Sequence, residues 1–455
     1  MIGLLTEHGP FRVAPADTAA SSSSPKLVTN YANSWNRVAN VLYLETPARV
    51  GFSTGGSART GDNVTCADNV AFLRGFYARH PRYAGRALYL SGESHAGVYV
   101  PQLARALVDA NIPGVNLKGF VVGNPSGLGA EGWEYGYAKF MTNHGLLSEA
   151  QLANATKACD SDSGTPAECA AVNLAFAEGN LYGIDPYNIY RSCVGDGPSL
   201  HGGCAPRWAT DAAWGAPPRI APAADATGGN PCAGHRCDTE ACPCGCECGD
   251  ASDPGLCYVP SKDAKPVPPP PKPASDNLGA ANIPCTDFAP IEAYLDAPAV
   301  REALHVRGAL AGTPWIPCGQ LDWAFPGNKS AIPAIYQALA GNPLRVLVFS
   351  GDVDSCVPFV NTRRKVATLG FPPAGAYRRW FVDDAEGRPQ IAGYTQSYGR
   401  RASDGAGGSD DGDDVAAAVP ALTFATVKGA GHMVASDKPA AALAFFSRFL
   451  AGEPL

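Results

Sequence analysis

The hexapeptide Gly92-Glu93-Ser94-His95-Ala96-Gly97 carries the sharpest chemical signal in this chain. It follows the strand-like run Ala87–Leu90 and precedes the apolar-periodic run Val98–Ala110, so Ser94 is expected on a strand-to-helix turn. Such a turn is tight and needs small residues two before and two after the serine. Gly92 and Ala96 meet that need, although Ala96 departs from the strict G-x-S-x-G pattern. A serine hydroxyl is a weak nucleophile that requires a base, and the base requires an acid to orient it. On parallel sheets the chain order is Ser, acid, His. Gly351-Asp352-Val353-Asp354 ends the strand-like run Arg345–Ser350 and offers two carboxylates at a strand's C-terminal edge; spacing alone does not choose between them. Gly429-Ala430-Gly431-His432-Met433-Val434 follows the run Leu422–Val427 and suits a loop-borne general base. The other histidines fit less well. His8, His201 and His235 sit in loop-like sequence, His80 precedes a proline, His144 and His305 read as helix-end or packing residues, and His95 abuts Ser94 too closely to curl back as its base.

The elements that must position these residues follow an α/β pattern. Val38–Leu44 reads as a buried strand, Asn69–Tyr77 as a helix, Phe120–Val122 as a strand stopped by Gly123-Asn124-Pro125, and Pro439–Leu450 as a terminal helix. Strand, helix and strand at this spacing predict a mostly parallel sheet with crossover helices. Between the two halves the texture changes. Residues 131–195 look helical and contain Cys159, Cys169 and Cys193, whereas residues 196–280 are rich in Gly, Pro and Cys and end in a polyproline run at 266–273 that predicts an extended spacer. Residues 404–419 form an acidic, Gly-rich insert expected as a solvated loop. No repeat with a period of 20–50 residues is visible.

Composition bounds the function. With 455 residues and 45% hydrophobic content the chain can bury a large core, which excludes wholesale disorder. A net charge of −7 argues against nucleic-acid binding, which draws on a basic surplus. No run reaches the roughly 18 apolar residues of a membrane helix. The first residues lack the basic and apolar regions of a signal peptide. The 15 Cys pull the other way: they fit an oxidising compartment, and imply either a metal-rich chain or a targeting segment outside this sequence.

The stretches GLLTEHGPF, SWNRVANVLYLETPARVGFS, GESHAGVYVPQLA, GFVVGNP, IDPYNIYRSC, VREALHV, VFSGDVDSCVP, QIAGYTQSYG and TVKGAGHMV resemble, in family order and across nearly the whole chain, the serine carboxypeptidases and their plant acyltransferase relatives. The resemblance implies an α/β-hydrolase core from residues 1–130 and 336–455, with a cap or insertion region at 131–335. It implies Ser94 as nucleophile, Asp354 as the orienting acid, His432 as base and the His95 N–H as an oxyanion donor. It also implies a pair of acids, Glu93 and Glu45, that share a proton and bind a peptide's terminal carboxylate, with Met433 as an apolar subsite wall. Close acids raise one another's pKa, so one stays protonated and can donate, which favours acidic working pH. The activity implied is release of C-terminal residues from peptides, in the secretory pathway, vacuole, lysosome or extracellular space, without cofactor or metal. Peptides are the expected partners, with no nucleic acid and no membrane; oligomeric state leaves no mark on the sequence. The other readings are an acyltransferase using the same triad, which the Glu rather than Asp at position 93 disfavours, and a truncated, weakly active or inactive relative.

Departures from the family pattern set further expectations. The family's Gly-rich stretch, which supplies half of the oxyanion hole, precedes GL…E.GPF, and this sequence begins inside the segment that follows; a poor catalyst is expected. Cys318 is implied to lack the cysteine it pairs with in the family. Arg49 stands where the family has Gly, and Ala435 where it has Pro. Cys356, two residues after Asp354, reads as a thiol near the site or a small core residue. The cysteines from Cys232 to Cys257 are too closely spaced for a structural zinc site and are read as a disordered or disulfide-knotted loop. Asn63, Asn154 and Asn328 head glycosylation sequons.

Overall fold

The computed structural model describes residues 1–14, 25–56, 59–128, 135–159, 165, 168–169, 171–172, 184–192, 247–248, 257–258, 288–306, 312–317, 321–325, 331–399 and 421–455. The polyproline run, the acidic insert, Cys318, Asn328 and most of the Cys-rich stretch lie outside these residues. The chain forms two compact units, one of Met1–Cys204 with Gly279–Leu455 and one of Ala205–Leu278. Of the second, the described part is an antiparallel pair of two-residue strands, β6 (Glu247–Cys248) and β7 (Cys257–Tyr258).

The first unit is built on a six-stranded sheet. In chain order its strands are β4 (Ala87–Glu93), β5 (Asn116–Gly123), β9 (Arg345–Gly351), β10 (Arg378–Asp383), β11 (Pro389–Tyr398) and β12 (Leu422–Val427), arranged β10-β11-β12-β9-β5-β4. β12, β9, β5 and β4 run parallel, and β10 and β11 extend the sheet antiparallel. Small strand pairs also form outside it in this unit: β1 (Phe11–Ala14) with β2 (Lys26–Thr29), and β3 (Arg59–Gly61) with β8 (Asp322–Phe325). The helices are α1 (Asp62–Arg79), α2 (Ala96–Ala110), α3 (Tyr135–Asn143), α4 (Glu149–Ala158), α5 (Ala289–Asp296), α6 (Pro298–Ala303), α7 (Ile332–Leu339), α8 (Phe359–Ala367), α9 (Val434–Asp437) and α10 (Pro439–Ala451).

The central strands are apolar on both faces, as a sheet covered on both sides must be. On one face Phe120, Val122, Val346, Val348, Leu422 and Phe424 pack against Val98, Ala104 and Leu107 of α2, Ile332 and Tyr336 of α7, and Leu73 and Tyr77 of α1. On the other, Val121, Leu347, Phe349, Ala425 and Val427 meet Phe445, Phe446 and Phe449 of α10, with Trp35 and Trp380. Burying these large side chains contributes on the order of 1.5–3 kcal/mol each, so the sheet is the rigid frame of the molecule. Its ends are well signalled: Pro439 starts α10, and Gly452 closes it in the left-handed region at φ 77°. Ser148 and Gln151 form a reciprocal capping box on α4.

The expected strand at Val38–Leu44 does not form. Among the described residues the segment pairs with no strand, and Val38, Leu42 and Leu44 are 45%, 51% and 37% exposed. β4 is the last strand of the ladder, and this apolar run does not join its edge; its Tyr43 hydroxyl instead meets His8 Nδ1 at 3.0 Å.

Candidate active site

The C-terminal ends of β4, β5, β9 and β12 converge on one edge of the sheet, where α/β proteins place their sites. Ser94 follows β4 directly and holds a backbone φ of 62°, a left-handed conformation that costs a non-glycine residue roughly 1–2 kcal/mol. The turn is pinned by Ser94 N–H donating to the Gly123 carbonyl at 2.9 Å and by the Gly97 and Ser126 N–H groups donating to the Ser94 carbonyl, both at 2.9 Å. A Cβ on Gly92 would stand 2.4 Å from the Ala96 Cβ, and one on Gly97 would stand 2.2 Å from the Ser126 carbonyl. The small residues are therefore demanded by packing, and Ala96 is tolerated because Gly92 has no Cβ.

Asp354 lies beyond β9 with no exposed surface, and its Oδ2 is 2.7 Å from His432 Nδ1. Of the two acids left open by spacing, it is the one on the imidazole. Its other contacts are all donors: Asn124 Nδ2 at 2.7 Å to Oδ2, and the N–H groups of Cys356 at 2.8 Å and Val357 at 3.1 Å to Oδ1. These donors satisfy both oxygens of the buried carboxylate. Asp352 acts elsewhere, accepting the Gly429 N–H at 2.6 Å and so tying down the loop that carries His432. Burial pushes the Asp352 carboxyl up.

Asn124 has no role assigned by the sequence motifs. It stands at φ 41° after β5, fully buried, and also accepts the Gly351 N–H at 3.3 Å. The available signal is the Gly-Asn-Pro that stops the strand, since Asn is among the few residues that enter the left-handed region readily. Tyr187, also unassigned, covers His432 with ring centroids 4.7 Å apart. Met433 is half-buried beside His432 at the start of α9. His95 is directed elsewhere: its Nε2 is 2.9 Å from Asp62 Oδ1, and its ring meets Tyr99 edge-on.

The acids that act on Glu93 are Glu7, Asp354 and Asp437, with Glu45 not among them. Glu45 accepts the Trp315 Nε1–H at 3.1 Å, the Phe52 N–H at 2.7 Å and the Met1 ammonium at 3.2 Å, and a Cβ on Gly51 would strike it. It anchors the turn at Gly51 and Phe52. Glu7, in the Thr-Glu-His-Gly-Pro segment, is buried, and burial raises its carboxyl to about 7 against the lowering pull of His432, the N-terminus and Arg12. The Glu93 carboxyl is pushed well above the ordinary range by burial first, then by Glu7, Asp354 and Asp437. Burial and like charge both favour the protonated form of such acids. Of the two candidates, Glu7 is the acid whose charge reaches Glu93. Glu45 was expected at a strand end, and the strand before it does not form.

Arg49 adopts φ 75°, which a glycine would hold without strain. Cys66 and Cys356 are half-buried thiols, and Cys159 is disulfide-bonded to Cys169. Among the described residues no group of acids, histidines and cysteines could hold a metal ion.

A family model described as serine carboxypeptidase matches residues 1–452. Serine carboxypeptidase-like 36 of Arabidopsis thaliana is 30% identical over 462 residues, covering 100% of this chain and 74% of that protein. Serine carboxypeptidase-like 20 of the same plant is 30% identical and covers 100% and 82%. Among solved structures, Kex1(delta)p, a prohormone-processing carboxypeptidase from Saccharomyces cerevisiae, aligns over 99% of this chain and 80% of its own with a TM-score of 0.60 at 17% identity, a likeness of fold.

Proposed function

The chain belongs to the serine carboxypeptidase family, and on that premise we propose that it releases C-terminal residues from peptides through an acyl-enzyme on Ser94. The observation that carries this reading is the 2.7 Å bond between His432 Nδ1 and buried Asp354. With Nδ1 committed to the carboxylate, Nε2 is the nitrogen left to take the Ser94 proton. Ser94 Oγ attacks the carbonyl of the last peptide bond. The His95 N–H, at the positive end of α2, donates to the oxyanion. His432 then passes its proton to the leaving amine, activates a water to attack the ester, and returns the proton to Ser94.

Exopeptidase specificity comes from the acid pair. Glu7 holds its proton below about pH 7 and Glu93 is pushed well above the ordinary range, and a protonated acid can donate to the substrate's terminal carboxylate where two anions would repel it. Met433, half-buried next to the base, forms an apolar wall for the departing residue. Peptides are therefore the substrate class, and binding is tightest at acidic pH. The Cys159–Cys169 disulfide and the exposed sequon residues Asn63 and Asn154 support a secretory-pathway location. Among the described residues no helix is long and apolar enough to cross a membrane.

The test is a fluorophosphonate probe followed by peptide digestion. Ser94 should be the labelled residue, a blocked dipeptide should lose its C-terminal amino acid at pH 5–6, and Ser94→Ala should abolish both. Labelling of Ser94 with turnover only of activated acyl esters would instead assign an acyltransferase.

A further inference from the structure

We infer that Asp437, held by Asn188 and Arg191, is a positioning residue that fixes the His432 loop against the Asp354 loop. This rests on the proposed roles of Asp354 and His432. The two loops follow the paired strands β9 and β12 and are joined at their roots, where Val353 N–H donates to the Ala430 carbonyl at 3.0 Å and Asp352 accepts Gly429 N–H at 2.6 Å, but the peptide that carries the imidazole takes its hold from elsewhere. The turn 185–191 lies between them and bonds to both. On the acid side, the Pro186 carbonyl accepts the N–H groups of Ser355 and Cys356, each at 3.0 Å, and the Ser355 hydroxyl at 2.7 Å, while Ile189 N–H donates to the Val353 carbonyl at 3.2 Å. On the base side, the Tyr187 carbonyl accepts the His432 N–H at 2.6 Å.

The contact is close enough to dictate sequence: a Cβ on Gly431 would stand 1.9 Å from the Tyr187 carbonyl. The turn itself is tied by buried Asp185, which accepts the Tyr187 N–H at 2.9 Å and Arg191 Nε at 2.6 Å. Asp437 closes the ring from α9. Its Oδ2 accepts the Gly431 N–H at 2.7 Å and Asn188 Nδ2 at 2.9 Å, and its Oδ1 is 3.7 Å from Arg191 Nη1. One carboxylate thus grips the peptide before the base and the turn that bears on the acid. A hydrogen-bonded network of this kind has consequences beyond its members, because small misplacements of a general base are costly.

Two readouts test this. The first is the low-field proton of the His432 Nδ1–H···Asp354 bond in the NMR spectrum, assigned by its loss in Asp354→Asn. The second is kinetics on a blocked dipeptide. Asp437→Ala should broaden or abolish the low-field signal and lower kcat about 10²-fold with KM within about threefold. Asp437→Asn, which keeps an oxygen for Gly431 N–H, should restore the signal and recover kcat to within about tenfold of the native chain. A folded Asp437→Ala protein that keeps both the signal and kcat within threefold overturns the inference. If Asp437→Ala fails to fold, the paired change Asn188→Ala with Arg191→Met is judged by the same two criteria. A native chain that shows the low-field signal, loses it in Asp437→Ala, yet neither labels with a fluorophosphonate nor cleaves peptides would refute the proposed function and leave the positioning role standing.

Discussion

Replacing Glu7 with Gln separates the acid pair from everything else at the site. Glu7 is buried and its carboxyl is raised from the ordinary 4.5 to about 7. That displacement, at about 1.4 kcal/mol per pKa unit, amounts to about 3 kcal/mol of stability that depends on pH. The sign follows from proton counting. Between pH 4.5 and 7 the folded chain holds a proton that the unfolded chain has released, so the contribution is complete below the unfolded value and is lost as pH rises through about 7. Gln carries no such dependence. Burial, more than Glu7, raises Glu93, so Glu93 should stay protonated in the variant. Urea unfolding of both proteins at pH 4.5 and pH 8 should therefore give a stability difference that shifts in favour of Glu7→Gln by about 3 kcal/mol at the higher pH. Peptide turnover supplies the functional counterpart. The native kcat/KM should fall as pH rises through about 7, when Glu7 loses its proton, whereas the Gln amide donates at any pH and should extend activity upward. Parallel stability curves together with superimposable pH–rate profiles would refute the shared-proton account.

Three further outcomes follow from packing and backbone geometry. Arg49→Gly should raise stability by about 0.5–1 kcal/mol, the left-handed strain relieved at φ 75° less the extra chain entropy of glycine, read as a higher urea midpoint at unchanged slope. Asn124→Ala should lower kcat about tenfold and stability by about 1–3 kcal/mol, because it strips a donor from buried Asp354 and an acceptor from Gly351 N–H; steady-state kinetics and urea unfolding check both. Gly92→Ala should cost about 1–3 kcal/mol by driving a methyl against Ala96, and the double change Gly92→Ala with Ala96→Gly should recover most of the loss, measured by unfolding and by the rate of fluorophosphonate labelling.

The parallel half of the sheet is legible in the sequence because its strands are short apolar runs buried on both faces. The run Leu422–Val427 matches its strand to the residue, and Arg345–Ser350 to within one. β10 and β11 escape such a reading for the complementary reason. They lie toward one end of the sheet, half their residues face water, and runs such as Arg378-Arg379-Trp380 carry no continuous apolar signal. Val38–Leu44 errs in the opposite direction: its composition is that of a strand, but a strand is a relation between two backbones, and apolar composition cannot say whether the segment will meet an edge.

The site shows the same division between what a local pattern encodes and what only the fold decides. Ser94 is legible because the elbow is a local object: its strain and its small neighbours are all within four residues. The choice of Asp354 over Asp352 came from resemblance, and its physical basis is non-local. It depends on which carboxylate Asn124, Cys356 and Val357 surround with donors, and on the turn 185–191 arriving from a different stretch of chain. Glu7 and Glu45 make the point most sharply. Both are single acids in motifs that resemble the family's, and nothing in either motif states its electrostatic surroundings. Glu45 receives an indole and a backbone donor and serves as a structural anchor, whereas Glu7 is buried where His432, Arg12 and Asp437 act on its proton and where its own charge acts on Glu93. An acid becomes a proton-sharing group through the charges that surround it after folding, so the acid to be tested is the one whose pKa the fold has moved.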